Sequence, residues 1–143
     1  MEESEYMTLA ESVPADWYTS EKAVEITKSI FYDIMMAYAM REGLVINDEQ
    51  DLQKLMDTIA KDKNVPVDEV LLNVQNIATT VGAVKLFNES YPEIADQFPK
   101  DELGVPIYPP KFLAKILELT EEIAQELLDG VLKDYGEYLV PSR

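Results

Sequence analysis

The stretch Val70–Val84, VLLNVQNIATTVGAV, is bracketed by Glu69 and Lys85 and holds no ionisable side chain. In a chain that is 28% charged, such a gap does not belong on an ordinary solvated face. Val70, Val74, Ile77, Val81 and Val84 recur at the three-and-four spacing of one helix face. The other side carries Asn73, Gln75, Asn76, Thr79 and Thr80, amides and hydroxyls with no charge to anchor them in water. Gly82 and Ala83 are small and let another helix come close. The stretch therefore predicts a helix over about 67–89, buried on most of its circumference by its own chain, with a partner as candidate cover for the remainder.

Working upstream, Pro66 suits the entry to that helix, and Lys61–Asn64 reads as a polar turn. Leu52, Leu55, Met56 and Ile59 form a narrow apolar stripe among charges, so residues 48–61 predict an amphipathic surface helix. Asn47 is its expected cap, with Gln50 three positions on. Before it, Ser20 as cap and Gly43 as terminator delimit a helix over 20–42. Its first half has a polar face of Glu25, Lys28, Ser29 and Asp33. Continued by steps of three or four, that face reaches Met36 and Met40 rather than charges. A helix apolar all round, as at Ile34–Met40, is buried or covered by another molecule. Asp33, beside this run, is either a buried carboxylate that would flag a site or the edge of the polar face, the plainer reading.

Downstream, residues 90–110 contain five of the eight prolines. They predict a stiff crossover with one short helix from Pro92 and an extended VPIYPP. A last helix is expected over 110–135, with Phe112, Leu113, Ile116, Leu117, Ile123, Leu127, Leu128 and Val131 on its apolar face. Residues 1–18 carry Glu2, Glu3, Glu5, Glu11 and Asp16 against no basic residue. This segment reads as a mobile acidic tail whose last aromatics dock on the core, or as an acidic-aromatic segment that folds on a basic partner. The expected fold is an all-α, single-domain bundle of four main helices (about 20–42, 48–61, 67–89 and 110–135), with residues 19–143 as the domain and a short helix in the proline-rich crossover.

Composition narrows the chemistry. The formal net charge is −16, which opposes direct binding to nucleic-acid backbone or anionic membranes and favours basic partner surfaces. With no histidine and no cysteine, the usual general base, thiolate nucleophile, zinc ligands and Glu-x-x-His di-iron pairs are missing. No phosphate-binding glycine motif can be written. No cofactor, metal or catalytic residue is therefore assigned. The N-terminus lacks the blocks of a signal peptide, and no apolar run approaches the roughly 18–20 residues of a membrane span. A cytoplasmic location is the resulting expectation.

Three features stand out as partner-binding candidates. Met36 and Met40 replace charges on one helix, and Asn73, Asn76 and Thr80 form an uncharged polar face on another. Glu118, Glu122 and Glu126 lie four apart, as an acidic ridge that a basic partner or a hard cation could meet. The expected function is a non-enzymatic acidic module that binds another protein, of a regulatory, accessory or immunity type, with self-association a further possibility through the charge-poor helices. Two rivals are a nucleic-acid mimic, which needs a continuous acidic stripe, and a small-molecule or lipophilic-ligand carrier, which needs an enclosed cavity beside Asn73, Asn76 and Thr80.

Overall fold

Residues 2–139 are described by a computed structural model, in which they form an all-α bundle. The elements in order are α1 (Glu3–Ser12), α2 (Ser20–Glu42), α3 (Glu49–Lys63), α4 (Val67–Ser90), α5 (Pro92–Ala95), α6 (Pro110–Leu117), α7 (Glu121–Asp129) and α8 (Val131–Asp134), closed by a 3₁₀ turn at Gly136–Leu139. Among the described residues no β-strand forms, and a lone bridge pairs Lys100 with Pro106. Residues 140–143 of the expected domain lie outside the described residues.

α2 and α4 make the central pair. A Cβ on Gly82 would come within 3.3 Å of Ile26 Cγ2, so glycine lets the two backbones approach here. Ile26 lies early in α2 and Gly82 late in α4, whereas Lys63, just before α4, sits 5.8 Å from the Tyr38 ring near the end of α2. The two helices are thus antiparallel. Ile30, Ile34 and Met35 of α2 are buried in the same core as Val74, Ala78 and Val81 of α4.

Helix boundaries follow local chemistry. Thr19, not Ser20, caps α2 by accepting from the Lys22 N–H at 3.4 Å. α3 is capped by Asp48 rather than Asn47, and Asp51 reaches back to the Asn47 N–H. At the far ends, Gly43 and Asn64 adopt left-handed angles, and the next residue's N–H closes back on Ala39 and Ala60. These are the six-to-one bonds of a Schellman ending.

The expected helix over 110–135 is corrected. Glu118 takes φ 55° and the Leu119 N–H donates to Ala114 at 2.8 Å, so α6 stops there. Thr120 then caps α7 by accepting from the Ile123 N–H, and a further break at Gly130 precedes α8. A kink at this point lets α7 fold against α6 instead of extending past the bundle.

The acidic segment at residues 2–18 is built in. Tyr6 meets Phe112 edge-to-face at 6.5 Å, Ala10 is buried, and Glu3 pairs with Lys111. Trp17 is buried and its ring lies 5.3 Å from Phe87. Around Phe87 the rings of Tyr91, Phe98, Tyr108 and Phe112 complete an aromatic core.

By length and composition α4 itself contradicts the expectation of no span-length apolar run, with an 18-residue window of mean hydropathy 1.3. Its packing explains the apolarity within this fold, since Val70, Val74, Ala78 and Val81 are all buried. The expectation that α4 is covered on most sides holds only for its second half, where Val81–Val84 are buried in succession. Over the first half Leu72, Asn73, Gln75 and Asn76 are exposed, and so is Thr79 just past the middle.

Candidate functional site

One consequence of α helix geometry organises the surface. At 100° per residue, Leu72, Asn76, Thr79 and Ala83 share a stripe on the side of α4 turned away from Ala78 and α2. Asn73 and Thr80 flank it. None of these six side chains is charged. At its Ala83 end the stripe runs into a groove of about 1050 Å³.

Five separate segments build that groove, α1 lining it with Met7, Ala10 and Glu11. α4 contributes Thr79, Thr80 and Ala83 to its floor, and the α1–α2 connection adds Val13, Trp17 and Tyr18. Ala114, Ile116 and Leu117 come from α6, and Ile123 and Leu127 from α7. The break at Glu118 is what turns Ile123 and Leu127 toward the cleft. The stripe's Leu72 is 56% exposed and Ile123 is 43% exposed, so apolar surface faces solvent at both.

The wall beside α1 is fixed by one hydrogen bond. Trp17 Nε1–H donates to the Ile116 carbonyl oxygen at 3.1 Å, one of those that a helix end leaves without a main-chain partner. Tyr18 stacks on Trp17 at 5.1 Å. Its hydroxyl is buried without a well-formed hydrogen bond. Burial raises the Tyr18 phenol above its ordinary pKa, an effect the nearby Thr27 hydroxyl partly offsets.

Around the rim stand Glu11, Glu118 and Glu121, with Lys111 and Lys115. Lys111 is tied to Glu3, whose carboxylate, with that of Glu121 behind it, holds the ammonium above its usual pKa. The rim is thus acidic on balance over an uncharged floor. Among the described residues no three carboxylates converge closely enough to hold a metal ion.

The candidate residues separate into three groups. Thr80 and Glu118 both line the groove, Thr80 from α4 and Glu118 at the end of α6, and Asn73 and Asn76 lie on the face of α4 that leads into it. Glu122 and Glu126 remain one turn apart on α7 but outside the groove, and Glu118 sits on the preceding helix end, so the three do not form a ridge on one helix. Met36 and Met40, 43% and 79% exposed, lie on α2 away from the groove with Tyr32. Asp33 is exposed on the same helix, so it belongs to the polar face. Trp17 and Tyr18, expected only as aromatics docking on the core, and Ile123 and Leu127, expected only on an apolar helix face, are not picked out as site residues by the sequence. The cue legible for Ile123 and Leu127 is the Thr120–Glu121–Glu122 cap pattern, which marks a helix start within the expected single helix.

Comparison of the chain with protein-family models, with curated proteins and with solved structures finds no match.

Proposed function

We propose that this chain is a non-enzymatic protein-binding module that receives a basic surface of another protein in the groove between α4, α6 and α7. The observation that carries this reading is the uncharged side of α4 running from exposed Leu72 into an apolar cleft, on a chain of net charge −16. Interface centres are depleted in charged residues and rimmed by polar ones. The acidic field then steers a basic partner toward the site and discourages acidic ones. Nothing in this reading requires a reacting side chain.

The two rivals fit less of the surface. A nucleic-acid mimic gains from Glu11, Glu118 and Glu121 on one rim, but Lys111 and Lys115 interrupt that array and the floor beneath it carries no charge. A lipophilic carrier gains from the cleft volume, yet Asn73 and Asn76 do not line it. Self-association is assigned to the separate Tyr32–Met36–Met40 face of α2, and a monomer by light scattering at high concentration removes that part.

Copurification with three variants tests the module. Leu72→Asp and Ile123→Asp charge the stripe and the groove at exposed positions, and Met40→Asp charges α2. A partner retained by wild type and Met40→Asp, but lost from both groove variants, is the expected result. A partner retained by all of them removes the groove from the account.

A further inference from the structure

We infer that the occupant of the groove is a single amphipathic helix of about three turns, apolar on one face and flanked by Lys or Arg. This rests on the docking reading above and gives the partner's binding element a shape and a charge. From Leu72 to Ala83 the uncharged stripe covers eleven residue steps, about 16 Å of helix axis. A helix laid along it would present apolar residues at the three-and-four spacing over the same length, the helix-in-groove mode of recognition.

The small side chains at the groove end of the stripe, Thr79, Ala83 and the flanking Thr80, permit the close interaxial approach that helix packing needs. Other peptide modes lack their platforms here. Strand addition requires an open sheet edge, and no strand forms among the described residues. A polyproline ligand requires exposed aromatic faces, whereas Trp17 is buried against Phe87 with its N–H engaged by Ile116.

Charge selects the helix further. Glu69 stands at the open end of the stripe, and Glu11, Glu118 and Glu121 stand on the rim. Against them Lys115 is the rim's cation without a salt bridge among the described residues, Lys111 being paired with Glu3. An acidic or neutral helix would meet this rim without compensation.

Trp17, the chain's single tryptophan, reports on the groove directly. The probe is an 18-residue peptide of Leu, Lys and Ala with leucines on one helical face. It is compared with a scrambled peptide of the same composition, at roughly 0.15 M salt to screen bulk charge attraction. The amphipathic peptide is expected to change Trp17 emission saturably and to bind at least ten-fold more tightly than the scramble. Leu72→Asp and Ile123→Asp, checked for intact helicity by circular dichroism, are expected to weaken it at least ten-fold, and Met40→Asp to leave it unchanged. Equal binding of the two peptides, binding indifferent to both groove variants, or no binding would each overturn the helical occupant. The docking reading would survive those results, since it falls only if copurification ignores the groove variants.

Discussion

The indole N–H of Trp17 donates to the carbonyl oxygen of Ile116 at 3.1 Å, joining residues 99 positions apart. This bond satisfies an end carbonyl of α6, fixes the α1–α2 connection, and sets one wall of the groove. It also ties the end of the acidic N-terminal segment to the core, because Trp17 packs on Phe87 at the centre of the aromatic cluster.

Trp17→Phe keeps an aromatic ring but leaves the Ile116 carbonyl without its donor. An unsatisfied buried acceptor costs about 1–3 kcal/mol, so a loss in that range is expected. Trp17→Ala adds cavity formation and should cost about 3–5 kcal/mol. Urea unfolding followed by circular dichroism measures both, and an unchanged midpoint for Trp17→Phe would remove the bond from the account.

Glu118 is a second test of the architecture. A side-chain-bearing residue in left-handed backbone costs about 1–2 kcal/mol, which glycine relieves at a smaller entropic cost. Glu118→Gly is therefore expected to stabilise the protein by about 0.5–1 kcal/mol in chemical unfolding. Were residues 110–135 one continuous helix, the same substitution would destabilise by about 1 kcal/mol.

Inside the core, the Tyr108 hydroxyl donates to Asn88 Oδ1, while Asn88 Nδ2 is buried without a partner. Tyr108→Phe strands the whole Asn88 amide and should cost about 1–3 kcal/mol. Replacing both, as Tyr108→Phe with Asn88→Leu, removes the buried polar pair together and should recover most of that loss. A double-mutant cycle in urea measures the coupling; strictly additive losses would contradict it.

Alkaline stability follows from the tyrosines. Burial, followed by the hydrogen bond to Tyr38, pushes Tyr135 up to about 12. Tyr138 is raised chiefly by burial and then by Glu137, and Tyr108 by burial and then by Asp96. In each the folded state favours the neutral phenol, so the contribution is complete below the unfolded pKa near about 10. It is lost as pH rises through the folded value. Unfolding free energy should fall between pH about 10 and about 12, and Tyr135→Phe should flatten that fall. A slope unchanged by Tyr135→Phe would contradict the assignment.

Much of the fold is legible because its boundaries are local. Gly43, the polar turn before Pro66 and the proline-rich crossover end or start helices by their own backbone preferences, and α2, α3 and α4 lie close to where these residues put them. The break at Glu118 is not legible in the same way, because the left-handed position usually belongs to glycine or asparagine and glutamate gives no cue. α1 shows no basic residue in its last turn and no side-chain cap, so its helix depends on packing Tyr6 and Ala10 against α6. The groove draws on residues from Met7 to Leu127, and only the fold assembles them. Hence Thr80 and Glu118 are found as separate candidates, while Trp17 and Ile123 read only as core-docking and helix-face residues and not as parts of one site.

Site-specific photocross-linking most directly tests docking along α4. A photoreactive amino acid at position 72 or 123, compared with one at position 40, is irradiated in the native extract. The account predicts covalent adducts to one copurifying protein from positions 72 and 123 and none to it from position 40. Adducts to that protein formed only from position 40 would contradict it.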